Sequence, residues 1–223
     1  MSSAANRVIV DFARSGSAAS EMPYRGARYD GTARQLSPGV NVVQTRIPEV
    51  LIFEPKVFGD VRGFFFESYH IDRYAAYGIT RPFLQDNMSR SVRGVLRGLH
   101  LQNPRSQGKL VTVLRGSVLD VAVDVRLGSP TFGRHVAAEL SEDNRCQMWV
   151  PRGFAHGFLV LSESADFFYK CDEYYSPSDE MTLRWDDPVL NIRWGIENPI
   201  LSERDALAPS LAEAKGLPLY GKC

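Results

Sequence analysis

The residues of this chain best suited to chemistry sit in one stretch, GVLRGLHLQNPRSQGKLVTVLRG, running from Gly94 to Gly116. It sets Arg97, His100, Gln102 and Lys109 on otherwise apolar, β-prone segments. Polar groups on buried strands cost free energy unless they are paired or used. An imidazole beside a fixed ammonium suits proton abstraction next to a carbonyl: the ring takes the proton and the cation stabilises the enolate. A second histidine, His156, follows the turn Pro151-Arg152-Gly153. Plainer readings stand beside these. His100 alone would fit a core histidine bonded to a carbonyl, His156 a structural hydrogen bond, and Lys109 a solvated strand end after Gly108. The company of Arg97, Gln102 and Lys109 favours function for His100.

The elements that must carry these groups read as strands. SVLDVAVDVR, HVAAEL, RCQMWV, GFLVLS and the aromatic run from Ser164 to Tyr175 follow one another with Gly, Pro, Asn and Asp turns between them. Such spacing argues for an all-β fold, an antiparallel sandwich or jelly-roll barrel, and the lack of long helical patterns argues against βαβ units. VVQTRIPEVLIFEPKVF, broken at Pro48 and Pro55, predicts short edge strands. Two helices are expected: Ser68–Tyr77, with Ser68 as N-cap and Gly78 as stop, and the tail from Pro199 to Ala214. Residues 1–40, rich in Ala, Ser, Gly and Arg, read as a flexible extension ahead of a single domain over 41–223.

The 26 basic and 26 acidic side chains of the 223-residue chain cancel, so no global field points to nucleic acid. Cys146, Cys171 and Cys223 lack a ligand-like spacing and fit reduced cytoplasmic thiols. No apolar run is long enough for a membrane helix, and no secretory signal is evident.

Gly94, His100, Gln102, Lys109 and Gly116 follow the spacing of the first conserved patch of cupin jelly rolls, and Pro151-Arg152-Gly153-Phe154-Ala155-His156 follows the second. The departures are informative. Gln102 stands where cupins place a second metal histidine, and Lys109 where they place a carboxylate. A protonated ammonium cannot ligate a metal, and two histidines without a carboxylate make a poor transition-metal site. The residues therefore read as a metal-free acid–base enzyme.

Longer strings carry a closer resemblance. EPKVFGDVRGFFFES, QDN, VLRGLHLQ, QGKLV, SPTFG, VPRGFAHGF, YKCDEYYSP and LSERDALAP, in order from Thr45 to Pro209, resemble the dTDP-4-dehydrorhamnose 3,5-epimerase family. The resemblance implies that His100 is the general base, supported by Asp205. Tyr169 would be the acid on the opposite face of the sugar, and Lys109 the stabiliser of the enolate oxygen. It further implies a substrate site lined by Arg62, Glu67, Gln85, Asn87, Arg97, His156, Tyr175, Glu180 and Arg204, the last where the family often shows Lys. Also implied are a dTDP-linked 4-keto-6-deoxyhexose as substrate, a place in dTDP-L-rhamnose biosynthesis, no cofactor, and a homodimer exchanging edge strands, with the segment from Val42 to Val57 as a contributor. The chain shows no G-x-G-x-x-G after a strand.

Local patterns temper these roles. Ser202-x-x-Asp205 is a capping-box pattern that needs no catalysis. Tyr169 sits among aromatics that would suit a core, although strand parity puts it on one face with Phe167 and Cys171. Arg62, between Asp60 and Gly63, fits a turn, and His70 and His135 read as surface residues. Regular alternation would turn Arg97 and His100 to opposite faces, so a shared pocket requires a bulge at Gly98. Three rivals remain open on the sequence: an epimerase acting only at C3 or on another nucleotide's sugar, a metal-dependent cupin oxygenase or isomerase, and a non-catalytic sugar-nucleotide-binding barrel.

Overall fold

A computed structural model describes residues 39–223. The expectation of a loose extension falls on residues outside that range, apart from Gly39 and Val40, and Val40 opens the first strand.

In chain order the strands are β1 (Val40–Gln44), β2 (Leu51–Pro55), β3 (Phe58–Asp60), β4 (Gly63–Phe65), β5 (Gln85–Val92), β6 (Leu96–Gln102) and β7 (Lys109–Arg115). They continue with β8 (Ser117–Asp124), β9 (His135–Ser141), β10 (Gln147–Val150), β11 (Phe154–Val160), β12 (Ser164–Cys171) and β13 (Glu180–Thr182). One sheet has the order β1-β2-β10-β7-β12-β5 and the other β13-β6-β11-β8-β9, with every strand pair antiparallel. The fold is the expected all-β jelly roll. β3 and β4 form a hairpin belonging to neither large sheet.

Period-2 alternation decides what each sheet buries. Val111, Val113, Val118, Ala122, Phe158 and Phe167 meet between the sheets. The opposite parity of β6, β8 and β11 (Leu99, Leu101, Val121, Val123, Leu159) packs outward under Leu183, Leu190, Trp194 and Leu211 of the C-terminal segment. The outer side of the other sheet, through Leu51, Phe53 and Leu110, is covered by Tyr74 and Ile79. Both sides of the β6-β11-β8 ladder are thus buried.

Several expectations need correction. β2 lies inside its sheet rather than at an edge: Pro48 falls in the turn before it and Pro55 ends it, so neither removes an interior ladder donor. The first helix, α1, is only Ile71–Ala75, after His70 and without a side-chain cap. Ser68 instead uses its carbonyl to accept from Gln147 and Tyr74. Gly78, at φ +91°, ends that turn as expected. The tail holds only α2, Glu203–Ala206. Before it, Ile200 bridges Val95 as extended chain, and after it Pro209, which lacks an N–H, ends the helix while its carbonyl accepts from Arg184. β12 stops at Cys171: Asp172 still bonds to Gly108 beside β7, but Tyr174 and Tyr175 bond to glutamine side chains rather than to a strand.

Candidate active site

Strand register gathers the polar residues onto the inner faces of the two sheets. On one sheet Gln85, Cys171 and Lys109 lie in one row across β5, β12 and β7, and Asn87, Tyr169 and Val111 in the next. On the other, His100 lies opposite both His156 of β11 and Thr182 of β13, and Gln102 opposite Glu180. Arg97 joins them through a bulge. Between the pairs Arg97–Phe158 and His100–His156, β6 carries two residues and β11 only Gly157. Gly98 sits at φ +129°, and a Cβ there would come within 2.6 Å of Gly157 Cα, so only glycine fits.

His100 Nε2 lies 2.6 Å from Asp205 Oδ1, with the imidazole 30% exposed and the carboxylate 4%. Ser202 caps the helix that carries Asp205: its Oγ accepts from the Asp205 N–H at 3.1 Å. The capping pattern and the histidine contact are one arrangement, in which the short α2 delivers a carboxylate to β6. Burial is the largest single influence and works to raise the Asp205 pKa, but the bond and charge of His100, with hydrogen bonds from Ser202 and the Gly98 backbone, together outweigh it and the carboxyl lies below its ordinary range.

Lys109 is not a solvated strand end. Its ammonium sits 5.9 Å from the Tyr169 ring centroid, and burial pulls its pKa down against the opposing pull of Cys171, Glu180 and Asp120. Burial also pushes the Tyr169 phenol up to about 12, so it stays a proton donor at neutral pH. His156 Nε2 is 2.7 Å from Asp120 Oδ1, a fully buried carboxylate that the sequence reading missed. At the rim, Glu180 accepts from Tyr175 Oη at 2.5 Å and pairs with Arg204. Burial alone would raise its pKa, but those bonds hold it below the ordinary value. Arg97 is exposed and donates to Ser91 Oγ at 3.1 Å.

Two expected residues stand apart. Arg62, 86% exposed, pairs with Asp60 on the β3–β4 hairpin, and Glu67 pairs with Arg73. His70 and His135 are half-buried rather than fully at the surface. Among the described residues no three His, Cys, Asp or Glu side chains gather as a metal-ligand set.

Fold and interior define a class: a cupin-like barrel whose facing sheets carry ionisable side chains on their inner surfaces. The family model for dTDP-4-dehydrorhamnose 3,5-epimerase matches residues 44–213. A dTDP-4-dehydrorhamnose 3,5-epimerase of Pseudomonas aeruginosa is 53% identical over 174 residues, 77% of this chain and 96% of the relative. The crystal structure of a Legionella pneumophila dTDP-6-deoxy-D-glucose-3,5-epimerase in complex with dTDP-4-keto-L-rhamnose superposes with TM-score 0.79 at 53% identity, covering 81% of this chain and 98% of that one. A dTDP-4-dehydrorhamnose 3-epimerase of Streptomyces niveus is 41% identical over 174 residues, 76% of this chain and 84% of its own. The chain belongs to the dTDP-4-dehydrorhamnose 3,5-epimerase family, and is an isomerase.

Proposed function

We propose that this isomerase inverts C3 and C5 of dTDP-4-dehydro-6-deoxy-D-glucose, giving dTDP-4-dehydro-L-rhamnose through enolates. The observation that carries this reading is the His100–Asp205 pair on one sheet facing the half-buried Lys109 and Tyr169 on the other. The C4 ketone acidifies both C3–H and C5–H. With Nε2–H donated to Asp205, Nδ1 of His100 holds the lone pair that takes the proton. The Lys109 ammonium, whose charge is partly withdrawn from water, neutralises charge developing on the C4 oxygen. Tyr169 returns a proton from the opposite face. Each centre loses one proton and gains one, so no oxidant or reductant is consumed, and solvent protons reset both groups between steps.

Around this centre, Arg97 suits the diphosphate, Tyr175 offers a face to the thymine, and Gln85, Asn87, His156, Glu180 and Arg204 complete the substrate site. Arg62 and Glu67 belong to the site of a second copy in a homodimer. The hairpin that carries Arg62 exposes Phe58, Val61, Phe64 and Phe65, an apolar surface suited to a second subunit. Three free thiols, two of them buried, fit a cytoplasmic enzyme.

The test is product analysis with dTDP-4-dehydro-6-deoxy-D-glucose in deuterated water. Deuterium at both C3 and C5 of an L-configured product is expected. Label at C3 alone would reassign the protein to single epimerisation.

A further inference from the structure

We infer that Gln102 is a positioning residue for Tyr175 and, through that ring, sets the affinity for the nucleotide half of the substrate; this rests on the reading of Tyr175 as the nucleobase platform. Gln102 is 4% exposed, and its amide is almost fully used. Nε2 donates to the carbonyls of Arg105 at 2.9 Å and Tyr174 at 3.2 Å, while Oε1 accepts from Ser176 N–H at 2.8 Å. Two carbonyls and one N–H fix which end is nitrogen, since the flipped amide would set oxygen against oxygen. No N–H remains for a ligand, so Gln102 acts on the substrate only through what it holds.

What it holds is the backbone on both sides of Tyr175. The residue between is caught as well: Tyr175 N–H donates to Gln85 Oε1 at 2.9 Å. The far end of the ring is fixed by Glu180, the residue directly across β13–β6 from Gln102, which accepts from Tyr175 Oη. Tyr175 is thus tied at its backbone and its hydroxyl while its faces stay half exposed at 50%. A stacking platform ordered before the ligand arrives loses less entropy on binding. A glutamine at a cupin ligand position, two residues from His100 on the same face of β6, thereby joins nucleotide recognition to the strand that carries the base.

The experiment compares wild type, Gln102→Met, Tyr175→Ala and the double variant. It measures calorimetric affinity for dTDP, kcat and KM, and the ratio of deuterium at C3 to C5 in the product. Base stacking on an aromatic ring contributes roughly 1–3 kcal/mol, so Tyr175→Ala is expected to weaken dTDP at least about fivefold. Gln102→Met, which frees the loop but keeps the ring, should weaken dTDP and raise KM by roughly the same factor or less, with kcat and the label ratio unchanged. The double variant should bind no worse than Tyr175→Ala alone, because the two act as one unit. Normal dTDP affinity in Gln102→Met beside a weakened Tyr175→Ala overturns the inference alone, as do losses that multiply in the double variant. Normal affinity in Tyr175→Ala overturns the platform reading and the inference together. Should Gln102→Met not fold, Gln102→Glu serves: it keeps the acceptor for Ser176 N–H, loses the two donors, and should also raise KM with kcat unchanged.

Discussion

Two histidine–aspartate pairs stand side by side in this barrel, on residues that face each other across β6 and β11. Their contacts are nearly equal, 2.6 Å for His100–Asp205 and 2.7 Å for His156–Asp120. Their settings differ. His100 is 30% exposed and takes its carboxylate from a four-residue helix outside the sheet. His156 is 8% exposed, is stacked 6.0 Å from Phe167, and takes its carboxylate from the neighbouring strand β8. A ring bonded through one nitrogen and open at the other can exchange protons with a substrate. A ring buried beside Phe167 with its carboxylate on the next strand can hold a hydrogen bond but has little means of handing a proton on. On the proposed mechanism, access and mounting, more than pair chemistry, separate His100 as base from His156 as support.

The largest effect should come from the exposed pair. His100→Ala should lower kcat by about 10³-fold, within the range for removing a positioned acid or base, with a loss of stability smaller than at the fully buried pair because Ser202 and the Gly98 backbone still bond Asp205. Asp205→Asn, which keeps shape but upsets the proton on Nε2, should cost kcat roughly 10²-fold. The buried pair should respond in the opposite sense. His156→Ala leaves Asp120 as an unpaired buried charge and should cost about 3–5 kcal/mol of stability, read by denaturant unfolding.

Tyr169→Phe would sharpen the division between the two sheets. Inversion should fall by about 10²-fold, while His100 still exchanges the substrate's own C–H for deuterium without inversion.

Titration separates the groups further. The Lys109 pKa is lowered, so it loses its proton, and the enolate its counter-charge, at a pH below the ordinary lysine value of 10.5. The alkaline limb of kcat should therefore appear before Tyr169, at about 12, ionises, and Lys109→Arg should move it upward. The folded-state pKa of Asp205 is depressed, so its stabilising contribution is present above 3.8 and is lost as pH falls through the lower folded value. Asp205→Asn should flatten that acid limb of stability. The smallest effect should be Arg204→Lys, a change of about two- to threefold in KM, because a point ammonium replaces a planar fork on Glu180.

Much of this was legible in the sequence because a strand writes its faces into alternate positions. Glycines and turns bound the His100 and Lys109 strands, and parity put Tyr169 with Phe167 and Cys171. Asp120 escaped for the same reason. In SVLDVAVDVR it alternates with valines and looks like the wet side of a half-buried strand, yet both sides of β8 are covered. Its legible signal was an acid sharing parity with Val118 and Ala122. The tail misled because Ser202 and Asp205 are good helix starters, while Pro209 and the bridge at Ile200 restrict the helix to one turn. Nothing local in the chain links Asp205 to His100, since the contact spans 105 residues and arises only when the tail folds over the sheet.

The comparison between the two pairs comes down to which histidine removes the proton. Deuterium wash-in at C3 and C5 of dTDP-4-dehydro-6-deoxy-D-glucose should be measured for folded His100→Asn and His156→Asn side by side. Loss of wash-in at both carbons in the first, and its persistence at both in the second, is the predicted result. Wash-in that continues in His100→Asn would contradict the account.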